Sequence, residues 1–136
     1  MTAAMQTALA GEHAAVWIYG VLGGQTSQSA EPTLYDEVST AYALHRSRRD
    51  QLMRWIRDDA GTPVPADVAY ELPNEVRNPS QVRTAARQVE NRCTSTYAVL
   101  ISNTESTRRD WAIRALVDAA TREVRLGAKP VAMPGY

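Results

Sequence analysis

Apolar residues return every three to four positions along most of this chain, and no competing strand pattern is present. The first predicted helix, α1, runs from about Thr2 to Gly24 and is apolar or small almost all the way round. One face carries Met5, Ala8, Leu9, Glu12, Ala15, Val16, Tyr19 and Leu22. A helix with so little polar surface is central, or partnered on two sides. Residues 25–30 form a polar loop. The second helix, α2, opens at Glu31-Pro32, proline being tolerated in a first turn. Its stripe is Leu34, Val38, Ala41, His45, Arg48 or Arg49, Leu52, and Trp55 or Ile56. Ala60-Gly61 followed by Pro63 predicts its end, with glycine at C′.

Residues 62–77 hold three prolines and no helical period, which predicts an extended crossover anchored by Val64, Val68, Tyr70 and Leu72. Asn78-Pro79 starts α3, with asparagine as N-cap and proline at N1. The α3 stripe is Val82, Ala86, Val89, Glu90, Cys93, Tyr97 and Leu100, and the helix ends near Ile101. Ser102-x-x-Glu105 matches a capping box and predicts the start of α4. That helix runs to about Leu126, before Gly127 and Pro130, and residues 128–136 form an irregular strap. Four helices, two short connections and one longer α2–α3 crossover predict an all-α antiparallel four-helix bundle, with residues 1–136 as a single domain.

Two positions interrupt the apolar stripes in the same way. Glu12 and Tyr19 lie seven residues apart on α1, and Glu90 and Tyr97 repeat that spacing on α3. Seven residues are almost two turns, about 10 Å, so carboxylate and phenol share a face. A carboxylate in a buried stripe demands a partner. Cations on α2 supply one: Arg48 or Arg49 as a bidentate fork, with His45 adding a hydrogen bond. Tyr19 and Tyr97 would then donate their hydroxyls to complete the network.

Composition narrows the function classes. Fifteen basic and fifteen acidic residues cancel, so no electrostatic footprint points to nucleic acid. No apolar run approaches the ~20 residues of a membrane span, and the N-terminus lacks the pattern of a signal peptide. One cysteine, Cys93, allows no internal disulfide and fits a reducing cytoplasm. It sits on the buried stripe and is expected to behave as a small hydrophobe. His13 points about 100° away from Glu12 and is expected at the periphery. Trp17, Trp55 and Trp111 are expected to pack. Arg46, Arg48, Arg49, Arg54 and Arg57, balanced by Asp50, Asp58 and Asp59, default to a solvated face. Trp17, Ile18 and Val21 lie off the Glu12–Tyr19 stripe, which predicts a homodimer through α1.

One glutamate on each of two helices, facing polar residues on the others, resembles the ferritin-like bundle. More narrowly, Glu12-His13-Ala14-Ala15-Val16, His45-Arg46-Ser47-Arg48-Arg49-Asp50, the Glu90 helix and Pro134-Gly135 are similar to an actinobacterial family of ferritin-like domains without assigned activity. A di-iron member of the superfamily uses one glutamate from each of two helices and Glu-x-x-His from each of the other two. By that resemblance Glu12, His45 and Glu90 match three ligands for iron or manganese. Tyr42-x-x-His45 replaces a carboxylate by a phenol, and α4 offers only Asp118-x-x-Thr121 and Glu123. The resemblance therefore implies a degenerate di-iron site with no catalytic residue and no cofactor. It leaves a structural or binding domain, and as its alternative a metal-dependent oxidoreductase or metal-handling protein.

Overall fold

The computed structural model describes residues 1–136 and contains four helices and no strands: α1 (Thr2–Gly24), α2 (Pro32–Asp58), α3 (Pro79–Ser102) and α4 (Ser106–Arg125). The start signal of α3 operates as expected. Asn78 accepts a hydrogen bond from the Gln81 amide at 2.9 Å, and Pro79 opens the first turn.

Two end signals work differently. Ala60, not Gly61, takes the left-handed conformation after α2, with φ 62°. The Ala60 amide bonds to the Arg57 carbonyl and the Gly61 amide to the Ile56 carbonyl, which is a Schellman closure with alanine at C′. The expected capping box at Ser102 is not formed. Ser102 is still the last residue of α3, and its hydroxyl bonds back to the Ala98 carbonyl. Glu105 occupies the N-cap of α4 without a side-chain cap.

The crossover accounts for the composition of α1. Gln6 clasps it at both ends of its amide, donating to the Thr62 carbonyl at 2.7 Å and accepting from the Val64 amide at 2.8 Å. His13 Nε2 bonds to the Val64 carbonyl at 2.9 Å, and Trp17 packs against Tyr70 with ring centroids 6.2 Å apart. The second apolar face of α1 is thus partly covered by the chain's own residues 62–70, with Val16, Trp17 and Val21 left half-buried. Val68, expected as an anchor, is fully exposed, and Val76 is buried in its place.

Close helix pairs are α1–α2, α3–α4 and α1–α3, whereas no Cα of α2 comes within 8 Å of one in α4. Long side chains span that gap: Arg48 to Asp118, Arg122 to Glu37, Arg108 to Asp59, and Trp55 against Trp111. Two apolar clusters fill the bundle. One gathers Leu22, Val38, Val82, Val89 and Leu126; the other gathers Met5, Leu9, Leu52, Ile56 and Leu100. Between them lies the polar layer that the stripes of α1 and α3 require.

Candidate functional site

His45 stands at the centre of that layer and is completely buried. Its Nδ1 lies 2.5 Å from Glu12 Oε2, and its Nε2 lies 3.0 and 3.1 Å from the two oxygens of Glu90. Carboxylates accept and do not donate, so an imidazole bonded to one on each side is doubly protonated. The Tyr97 hydroxyl donates to Glu12 Oε1. Arg122, from α4, donates to Glu90 at 3.2 Å, to Asp118 at 2.7 Å and to Glu37 at 3.0 Å. Arg48 donates to Asp118 at 2.6 Å and to the Tyr97 hydroxyl at 3.3 Å. Tyr19 stacks on the His45 ring, centroids 5.4 Å apart and planes 18° from parallel.

Charge balances within this cluster: Glu12, Glu90, Asp118 and Glu37 against His45, Arg48, Arg122 and Arg125, the last paired with Glu37 at 3.1 Å. Burial alone would strip His45 of its proton, but the charges and hydrogen bonds of Glu12 and Glu90 outweigh it and hold the pKa at about 9. Burial likewise works against ionised Glu90, yet His45, Arg122 and Arg48 pull it below the usual glutamate value. Asp118 is held low against its own burial by bonds to Arg122 and Arg48. Burial raises Tyr97, reinforced by the negative charge of Glu12. Burial and the two glutamates push Cys93 well up, so the thiol stays protonated. A protonated thiol is a poor nucleophile and a poor metal ligand.

The residues named from the sequence separate into two groups. Glu12, His45, Arg48, Glu90 and Tyr97 meet in one connected network, but the contacts differ from those expected. His45, and neither Arg48 nor Arg49, bridges the two glutamates. Arg48 reaches them only through Tyr97 and Asp118. Arg49 lies outside the layer, its Nε bonded to Asp50 at 2.9 Å and its side chain about a quarter exposed. Tyr19 reaches the cluster as a ring but not as a donor. Its hydroxyl is buried with no hydrogen-bond partner, although Glu90 is near enough for its charge, after burial, to raise the phenol's pKa.

The stripes of α1, α2 and α3 do not point to Arg122 or Glu37. Arg122 follows Ala112, Ala115 and Ala119 at helical spacing, the buried stripe of α4. A cation on that stripe was the available signal. Of the remaining ligand candidates, Tyr42 lines an outer groove, Thr121 is exposed with its hydroxyl on the Val117 carbonyl, and Glu123 lies under the C-terminal strap.

That strap closes on α3 at Gly135, whose φ is +85°. A Cβ there would stand 2.5 Å from the Thr94 carbonyl oxygen, so only glycine lets the strap seat. With helices, polar layer and strap in place, the whole chain can be set beside known proteins. A family model described as "Domain of unknown function (DUF4439)" matches residues 4–136. The chain belongs to that family. It is also similar to the crystal structure of a conserved hypothetical protein, rv2844, from Mycobacterium tuberculosis, with a TM-score of 0.82 and 27% identity. That likeness covers 91% of this chain and 92% of the other. No curated protein matches the chain.

Proposed function

We propose that this is a ferritin-like domain in which protein cations occupy the place of the metals, serving as a non-catalytic structural or binding domain of the cytoplasm. The observation that carries this reading is His45, bonded through both ring nitrogens to Glu12 and Glu90. The residues do not fit a di-iron centre. Asp118 is taken by two guanidiniums, Tyr42 faces outward, and α4 supplies Arg122 where a ligand would stand. Two permanently charged arginines beside the glutamates oppose entry of a divalent ion.

A second reading has its own observation. Ligand atoms of Glu12, His45 and Cys93 lie within 4.8 Å of one another, close enough to share one metal. That set includes a sulfur, so it favours zinc or copper over the iron or manganese that Glu12, His45 and Glu90 would suit.

Elemental analysis of protein purified without chelator, paired with melting curves with and without EDTA, tests the choice. The expected result is no stoichiometric metal and an unchanged melting temperature with EDTA. His45→Gln is expected to lower the melting temperature sharply, since it cannot neutralise two buried carboxylates. A stoichiometric metal, lost together with stability on chelation, would overturn the proposal in favour of the second reading.

A further inference from the structure

The residues next to the core network face a different feature. His13 follows Glu12 and Arg49 follows Arg48, and both line a groove of about 470 Å³ between α1, α2 and the crossover. Its walls are the rings of Trp17, Tyr42 and Tyr70. A volume of this size falls in the range of small-molecule sites, and aromatic walls with few polar groups are their usual lining.

The polar groups have unused capacity. Only Nε of Arg49 is engaged, by Asp50, which leaves both terminal nitrogens free to donate. Arg46 lies over the Tyr42 ring at 5.5 Å and is not part of the lining, so Arg49 is the groove's one arginine. His13 is fixed through Nε2 to the Val64 carbonyl, while its Nδ1 makes no hydrogen bond and is not sealed from solvent. The opposing charge is Asp67, on the crossover side. Its backbone amide donates to the Tyr70 hydroxyl and so holds that ring in the wall. The groove therefore offers one guanidinium on α2, has aromatic rings on both sides, and is held open by crossover contacts independent of the core.

We propose that this groove binds a small planar aromatic anion, a fused-ring carboxylate whose rings lie against Trp17, Tyr42 and Tyr70 and whose carboxylate is forked by Arg49. Aromatic faces recognise the ring system, and a guanidinium with two free nitrogens recognises a carboxylate in bidentate geometry. The site does not rest on the reading of the buried network, and each can fail alone.

The three tryptophans make the test direct, because Trp17 lines the groove while Trp55 and Trp111 pack together elsewhere. The indole N–H signals of the ¹⁵N-labelled full chain are followed by NMR while 2-naphthoate or its neutral counterpart 2-naphthylmethanol is titrated. Naphthoate is expected to shift the Trp17 signal saturably and leave the other two in place. The alcohol is expected to bind about tenfold more weakly, the loss typical of a charge-assisted hydrogen bond. Arg49→Gln, which lies outside the core network, is expected to abolish that preference without lowering the melting temperature. The proposal is overturned by no saturable shift into the millimolar range. Equal affinity for the two probes, equal movement of Trp55 and Trp111, or a preference that survives Arg49→Gln would overturn it as well.

Discussion

α1 and α3 carry the same figure, a buried glutamate with a tyrosine two turns later, yet the two copies are wired differently. Tyr97 of α3 reaches across to Glu12 of α1, but Tyr19 of α1 makes no return bond to Glu90. Glu90 is served from α4, by Arg122. The packing explains the asymmetry. α3 lies against α4, so a long side chain from α4 reaches Glu90 directly; α1 has no close approach to α4. Glu12 has no arginine within bonding reach and takes a phenol instead. Equal spacing in sequence places equal groups on equal faces, and the neighbours then decide which bonds form.

The largest break in this asymmetry comes from Arg122→Ala. It strips Glu90 of its α4 partner and leaves Asp118 with Arg48 alone and Glu37 with Arg125 alone. Removing one member of a buried ion network typically costs about 3–5 kcal/mol. Equilibrium urea denaturation should register a loss of that order. Arg49→Ala, outside the network, should stay within about 0.5 kcal/mol. Comparable losses for the two would show that the burial of Arg122 is not what matters.

The next effect is set by pH and isolates the residue common to both halves. His45 rises from an ordinary 6.5 to about 9, so the folded state binds its proton more tightly than the unfolded chain. The stabilisation is complete below pH 6.5 and is lost as pH climbs through 9, on the order of 3 kcal/mol in all. Glu90 and Asp118 are depressed, so their contribution is present above the ordinary carboxylate range and lost as pH falls. Glu12, Glu90, Tyr19 and Cys93 face the ring from α1 and α3, and Arg122 of α4 reaches it through Glu90. Cys93 and Tyr19, with ordinary values of 9.0 and 10.0, add little to the slope below pH 8.5. Melting temperature should therefore fall between about pH 6.5 and 8.5 in the wild type and hold level in His45→Gln. Parallel curves for the two proteins would remove His45 as the source.

Much of the bundle was legible because the helix stripes are regular. The α1 range and the proline-capped start of α3 follow from local rules alone. What the sequence left open was rotational and long-range. Arg48 and Arg49 differ by about 100° around α2, enough to send one into the core and the other into a groove, and a stripe interrupted by two arginines cannot choose between them. Arg122 was hidden for another reason: a cation in a helix's last turn is also what the helix dipole favours at the surface. The apolar excess of α1 was legible as a demand for a second partner. That the partner is the crossover depends on Gln6 and His13 meeting residues 62–64, more than fifty positions away.

The smallest expected effect sharpens the comparison most, because it tests the two tyrosines as a pair. Tyr97→Phe leaves Glu12 Oε1 without its donor and takes an acceptor from Arg48, all in a buried setting. An orphaned buried charge-assisted bond costs about 1–3 kcal/mol. Tyr19→Phe removes a hydroxyl that is buried and bonded to nothing, while the ring keeps its stacking on His45. Burying an unpaired hydroxyl opposes folding, so its loss should leave stability unchanged or raise it slightly. Chemical denaturation of the two variants side by side, with the double variant to complete the cycle, measures the difference. If Tyr19→Phe costs as much as Tyr97→Phe, the Tyr19 hydroxyl has a partner in solution, and the two glutamate–tyrosine figures are equivalent in chemistry as well as in spacing.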